Sequence, residues 1–288
     1  MTERSENPPS LRSYPPRAVD EPGRGGGVAV FVITTFAVTW LIWLPILIRA
    51  RSTGIDTMPW TFFLASVGPL CGALTATWWE AGRCGLIRWA RRVFSLRYTR
   101  TWWIACIAMP LGYFMIGCLA VRATSGQWPD LNGFGQTDKL PGLPWPAVAL
   151  VWAVSFGVGE EAGWRGWLLP RLSHQISVFW AALIVAGVWI AWHGPAFFFN
   201  PTYMSMGAGL LGWMVALMCG SYLLSWLTVG AQWSIVPVVL WHAGFDLLTA
   251  ADQSAGVFAA AVSTVVMLQG VCSGVILWRR RGPRTARP

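Results

Sequence analysis

Charge is what this chain of 288 residues has least of. Asp, Glu, Lys and Arg make up 11% of it, against about 25% in an ordinary soluble domain. That scarcity, with a mean hydropathy of +0.51, excludes one or two soluble domains. Lysine is nearly missing: Lys139 is the single one, and arginine carries the rest of the +9 net charge. The arginines gather at the ends of apolar runs, so the basic balance reads as loop charge beside a membrane, and nucleic-acid binding is set aside. The excess of Arg over Lys is of the kind a GC-rich bacterial genome gives. Six cysteines form no C-x-x-C pair, which excludes a disulfide framework and leaves small packing residues. Histidine is as scarce, with three in the whole chain. What is abundant is apolar runs near 20 residues, the length that crosses a bilayer, and 21 Trp.

The chain reads in order as a disordered, mixed-charge tail over 1–27, an eight-span membrane domain over 28–278 and a basic tail over 279–288. The tail is not a secretory signal, because the first apolar run starts late and is long. The expected spans are Val28–Ile48, Trp60–Trp79, Trp102–Val121, Pro146–Leu169, Val178–Phe199, Gly207–Val229, Trp233–Ala250 and Ala255–Trp278. After the second span, Glu80 leads into Arg83, Arg88, Arg91, Arg92, Arg97 and Arg100 with apolar residues interleaved, a pattern for an amphipathic helix at the interface. An even number of spans places both termini on one side, and the two most basic segments make that side cytoplasmic. Tryptophans near span ends fit interfacial belts. The fold class expected is therefore an all-α polytopic membrane protein, a bundle of about eight transmembrane helices, multi-pass in a bacterial inner or plasma membrane.

Against that apolar background a few residues need explaining: Glu160, Glu161, Arg165, His193, His242 and Asp246. A charged group at membrane depth is costly unless it is paired, solvated by an internal cavity or bound to a cation, which makes it a functional candidate by default. On a helix, Glu161 and Arg165 are an i,i+4 pair, as are His242 and Asp246. Glu160 is turned about 100° from Glu161, so the two carboxylates cannot point the same way. Arg165 reads as orienting Glu161 rather than reacting. Glu160 and His242 fall within about two residues of the middle of their spans and His193 about five residues from the middle of its own, so the three can share one layer. Such a set can bind a divalent metal with an open position for water, activate water with a glutamate base beside an imidazole, or relay protons. Gly157, Gly159, Gly163 and Gly166 thin the helix around the glutamates, either for close helix packing or to admit a substrate backbone. Trp164, Trp167, Trp189 and Trp192 read as packing or cavity lining.

Three motifs in order carry a resemblance: Glu160-Glu161-Ala162-Gly163-Trp164-Arg165, then Trp189-Ile190-Ala191-Trp192-His193, then His242-Ala243-Gly244-Phe245-Asp246. The chain resembles the CPBP family of CAAX proteases and bacteriocin-processing enzymes (the Abi family), intramembrane proteases related to the type II CAAX prenyl endopeptidases. The resemblance implies a metalloendopeptidase in which Glu160 and His193 activate the attacking water. Glu161 and Arg165 would support them, and His242 with Asp246 would stabilise the oxyanion or bind metal. A divalent metal, zinc first, would then sit on Glu160, His193 and His242. The chain departs from the family pattern at Trp189, where Phe is commoner, and at Asp246, where Asn is commoner. An ionised Asp cannot donate a hydrogen bond to an oxyanion. The expected partners are a peptide or membrane-anchored protein substrate and the lipid bilayer. Two competing classes use the same residues: an ion- or proton-coupled transporter, against which the lack of an inverted repeat counts, and a non-catalytic immunity or scaffolding protein.

Overall fold

The computed structural model describes residues 25–55, 58–96, 100–137, 139–249 and 256–280. Most of the polar tail expected over 1–27, and most of the basic tail over 279–288, lie outside the described residues. Among those described there is helix and no strand, as an apolar chain must have it: every backbone group at membrane depth has to be satisfied within its own segment.

Eight principal helices fall on the eight expected spans. We label them α1 (Gly27–Thr53), α2 (Gly68–Val93), α3 (Arg100–Ser125), α4 (a continuous helix over 145–173), α5 (Val178–Trp192), α6 (Gly209–Gly230), α7 (Val236–Thr249) and α8 (Val257–Arg279). A short turn, Thr61–Leu64, leads into α2, and two others, Gly194–Phe198 and Pro201–Met204, lie between α5 and α6. Among the described residues five helical stretches are long and apolar enough to cross a membrane: α1, the stretch Thr61–Val93 ending in α2, α3, α6 and α8. The other three serve the interior. α5 and α7 have 15 and 14 residues, or roughly 22 and 21 Å at 1.5 Å per residue, short of a hydrocarbon core of about 30 Å. α5 stops at Trp192, earlier than the span predicted through Phe199, because Pro195 follows and cannot continue the ladder. α4 is interrupted by π-helical turns.

The bundle is arranged around α4, which lies between α2 on one side and α7 on the other. α1 packs on α2, and α3, α5 and α6 close the far side through α8 and α7. The amphipathic stretch expected after the second span is the last part of α2. It turns off at Gly82, whose φ of 56° breaks the helix where the apolar run meets Glu80 and Arg83; an L side chain would be strained there. Glu80 accepts from Arg171 at the end of α4, pinning the two helices together.

The glycines of α4 serve packing. A Cβ at Gly159 would stand 2.6 Å from the Ser66 carbonyl oxygen, one at Gly163 would stand 2.5 Å from that of Pro69, and one at Gly157 would meet Val239 at 2.8 Å. α4 therefore rides on the backbone of α2, and the carboxylates it carries are held by contacts that cannot rotate away. Gly163→Ala is expected to destabilise the protein by about 1–3 kcal/mol through overpacking. Gly187→Ala on α5, with nothing within 4 Å of its Cβ, should be neutral or stabilising by up to about 1 kcal/mol. Thermal unfolding of the two purified variants in the same detergent checks the pair, and equal midpoints would remove the packing role of Gly163.

Tryptophan divides between two places. Trp43, Trp152, Trp164, Trp192, Trp233 and Trp241 are among the largest fully buried side chains. Trp60, Trp78, Trp79, Trp128, Trp145 and Trp278 are exposed. The interior set builds a layered aromatic core, with Trp167 stacked on Phe31 at 4.9 Å and Trp43 on Phe62 at 5.4 Å.

Candidate active site

The two glutamates sit where α4 changes its winding. A π-helical segment, Ala153–Glu160, hands over to a single α turn, Glu161–Gly163, and a second π segment, Trp164–Leu168, follows. π turns are uncommon and concentrate at functional sites, because they bulge the backbone and re-aim side chains. Both carboxylates are buried, and they diverge as their rotation requires. Glu160 Oε2 accepts from the Trp164 indole N–H at 3.4 Å, a long contact. Glu161 Oε1 accepts from Arg165 Nη1 at 2.9 Å and from His242 Nδ1 at 2.9 Å.

Trp189 organises the rest. The Arg165 guanidinium lies over its ring at 4.5 Å. The His242 ring meets it nearly perpendicular, centroids 5.9 Å apart. Its backbone carbonyl accepts from His193 Nδ1 at 2.8 Å. A carbonyl oxygen can only accept, so Nδ1 carries the proton and, in the neutral imidazole, Nε2 keeps its lone pair. His193 caps the end of α5, the position that the early helix stop creates. It is enclosed by rings: Trp192 at 4.7 Å, Trp213 at 5.0 Å and Tyr203 at 5.9 Å.

His242 lies in the middle of α7. That helix is anchored by Trp241, whose N–H donates to the Tyr113 hydroxyl at 3.1 Å, and Tyr113 in turn donates to Gln269 Oε1 on α8. Asp246 stands one turn on, with Oδ2 3.8 Å from His242 Nε2, beyond hydrogen-bond range. It lies beside the imidazole without being bonded to it.

The structure thus brings Glu161, Arg165 and His242 into direct contact, with Asp246 next to them and His193 on the other edge of Trp189. Glu160 interacts electrostatically with His242, Glu161 and Asp246, while its hydrogen bond goes to Trp164. Several buried polar atoms of this cluster have no hydrogen-bond partner: Glu161 Oε2, Arg165 Nε and Nη2, Trp189 Nε1 and Asp246 Oδ2. A buried polar network left partly satisfied is a feature of reactive sites more than of stabilising ones. The donor set does not fit a metal well, however. Glu161 Oε1 and His242 Nδ1 are committed to each other, and among the described residues no three His, Cys, Asp or Glu side chains are grouped as a metal ion would need.

Two contributors escaped the reading of the sequence. Tyr203 and Trp213, on the segment after α5 and on α6, wall in His193. The only available signal was that Tyr203 is one of five tyrosines in a chain of 21 tryptophans, set directly after a capped Asn200-Pro201 start.

Trp189 illustrates how one residue serves several roles. Trp189→Phe keeps an aromatic face for Arg165 and removes an indole N–H that is buried without a partner, so its effect on stability should stay within about 1 kcal/mol. Trp189→Ala should cost about 3–5 kcal/mol through the cavity it opens. Chemical unfolding of both variants checks the difference, and a Phe variant as unstable as the Ala variant would contradict it.

Comparison with known proteins bears on the same residues. Residues 142–248 match the family described as Type II CAAX prenyl endopeptidase Rce1-like. Among the curated proteins, the chain is 29% identical over 123 residues to "CAAX prenyl protease 2" of Methanococcus maripaludis. That alignment covers 40% of this chain and 42% of the relative. α4 and α5, all of α7 but its last residue, and every glutamate, arginine and histidine of the cluster lie within the matched residues 142–248.

Proposed function

We propose that this protein is an intramembrane endopeptidase that hydrolyses a peptide bond in a peptide or membrane-anchored protein, with Glu160 as the general base. The observation that carries the reading is the gathering of Glu160, Glu161, Arg165, His242 and Asp246, with His193 across the Trp189 ring, inside a bundle of apolar helices and on the segment that matches a protease family. Glu161, committed to Arg165 and His242, is the fixed charge of the site. Glu160, with one long hydrogen bond, is the carboxylate free to take a proton. His193 presents Nε2 as a neutral acceptor, held by Trp189, and orients the water against Glu160. Glu161 sets the orientation of His242 through its Nδ1, and Asp246 places a further carboxyl group beside the Nε2 edge of that ring. The positive-inside pattern supports a cell membrane with both termini on its cytoplasmic side.

In the reaction the water loses a proton to Glu160 as its oxygen bonds to the scissile carbonyl carbon, and the carbonyl electron pair moves onto oxygen. Collapse of the tetrahedral intermediate breaks the C–N bond, and the proton held by Glu160 passes to the departing amine.

The test compares cleavage of a quenched-fluorescence peptide library, including a farnesylated peptide ending in a C-A-A-X sequence, by the purified full-length chain and by Glu160→Ala. Cleavage that depends on Glu160 supports the reading, and equal cleavage by both proteins rejects it. Metal analysis of the same preparation separates a second form of the chemistry: activity that tracks stoichiometric zinc would assign Glu160, His193 and His242 as ligands in place of a free glutamate base.

A further inference from the structure

In an α-helical ladder the Gly166 carbonyl would accept from residue 170, but that residue is proline and has no N–H. α2 supplies donors instead. The carbonyl accepts from the Trp89 indole N–H at 3.1 Å and from Arg92 Nη2 at 3.0 Å. The turn that carries Arg92 is held from α7 as well, since the Val93 carbonyl accepts from Ile235 N at 2.9 Å. Arg92 is thereby drawn inward, and its Nε and Nη1 are closed off with no hydrogen-bond partner. A second guanidinium lies beside the first along α4: Arg171 sits over the Trp167 ring at 5.2 Å. Two cations thus rest on adjacent residues of one helix.

Their charge is not balanced. Glu80 is the carboxylate at this end of α2, and it is already engaged. Its Oε2 accepts from Arg171, and its Oε1 stands 1.9 Å from where a Cβ on Gly27 would be, against the start of α1. Among the described residues no carboxylate pairs with Arg88, Arg91 or Arg92. Arg88 is exposed and Arg92 half-buried one turn on, and like charges at i,i+4 repel. A partly buried cation with unmade hydrogen bonds is costly until an anion completes it. The place is where α2 turns off its apolar run at Gly82, with Ile87 and Phe94 exposed among the arginines, the pattern of a helix lying among lipid headgroups. We propose that Arg92, with Arg88 and Arg171 beside it, is a binding site for the phosphate group of an anionic phospholipid. The phosphate oxygens accept from the N–H groups on Arg92 Nε and Nη1, a charge-assisted contact that guanidinium suits. Ile87 and Phe94 meet the acyl chains, which a soluble phosphate does not have. The site is separate from the glutamate cluster and does not depend on the peptidase reading.

The test is native mass spectrometry of the full chain in detergent, with phosphatidylglycerol or phosphatidylcholine of identical acyl chains added. The wild-type chain should retain phosphatidylglycerol at least about tenfold more tightly. Arg92→Gln should remove most of that preference, and Arg88→Gln should reduce it by about fivefold. Arg279→Gln takes a charge from the end of α8, which packs on α3 and α6, and should leave the preference as it was. If Arg92→Gln fails to fold, Arg88→Gln on the exposed face carries the test alone. Equal retention of the two lipids by the wild-type chain would overturn the inference, as would an unchanged preference in Arg88→Gln. An equal loss in Arg279→Gln would overturn it in favour of diffuse surface charge. Displacement of the bound lipid by millimolar inorganic phosphate would overturn it in favour of a soluble anion.

Discussion

Glu160→Gln is expected to lower turnover by about 10²- to 10⁴-fold while leaving the fold unchanged. The amide is isosteric with the carboxylate, and its oxygen can still accept from the Trp164 indole N–H, so no packing is lost. What is lost is the base. A positioned general base contributes about 10² to 10⁴ in rate, and Gln has no proton affinity to replace it. Single-turnover cleavage of a substrate found in the library, beside thermal unfolding in the same detergent, separates the two effects. Glu161→Gln is the necessary comparison. That carboxylate accepts from both Arg165 and His242, so its substitution should lower the unfolding midpoint as well as the rate. If the Glu160 variant cleaves normally and the Glu161 variant does not, the two roles must be exchanged.

Arg165→Met is expected to cost stability as heavily as Trp189→Ala, a loss of about 3–5 kcal/mol. Arg165 and Glu161 are fully buried and paired at 2.9 Å. Removing the guanidinium leaves a carboxylate in the interior with only His242 beside it, and breaking one half of a buried pair carries that order of cost. Arg165→Lys should fare little better. An ammonium cannot lie flat on the Trp189 ring as the guanidinium does at 4.5 Å. The double variant Glu161→Gln with Arg165→Met should recover most of the loss, because a neutral pair of similar volume removes the buried charges together. Equilibrium unfolding of the three variants measures the coupling. A single-variant loss below about 1 kcal/mol would mean that the pair is solvated, and the account of Glu161 as the fixed charge of the site would fall.

The division of labour between the two glutamates was only half readable from their spacing. The i,i+4 relation of Glu161 and Arg165 predicted the pair that forms, since that rule depends on helix geometry alone. The divergence of Glu160 followed from the same geometry. Which partner each carboxylate finds across the bundle did not follow. His242 reaches Glu161 over a separation of 81 residues, and no local periodicity encodes a contact of that kind. The depth argument put His193 inside a span, whereas the chain places it at the end of α5, just before Gly194 and Pro195. Pro195 ends the helix there, and the His193 Nδ1 bond to the Trp189 carbonyl satisfies part of the end it leaves. The glycines around the glutamates allowed packing or substrate access, and only the closeness of Ser66, Pro69 and Val239 decided for packing.

The apolar periodicity, the arginines at span ends and the three ordered motifs sufficed to specify an all-helical membrane chain, the places of its eight helices and the residues whose charge had to be explained. Those features are local, being written in composition and in spacing along one helix at a time. The bundle decided the rest: the contact of His242 with Glu161, the Trp189 ring shared by Arg165 and His242, and the aromatic wall of Tyr203 and Trp213 around His193. Each of these is a meeting of helices distant in sequence. Such meetings are fixed by how close two backbones can come and which buried polar groups must then be satisfied, and neither quantity exists until the helices are packed.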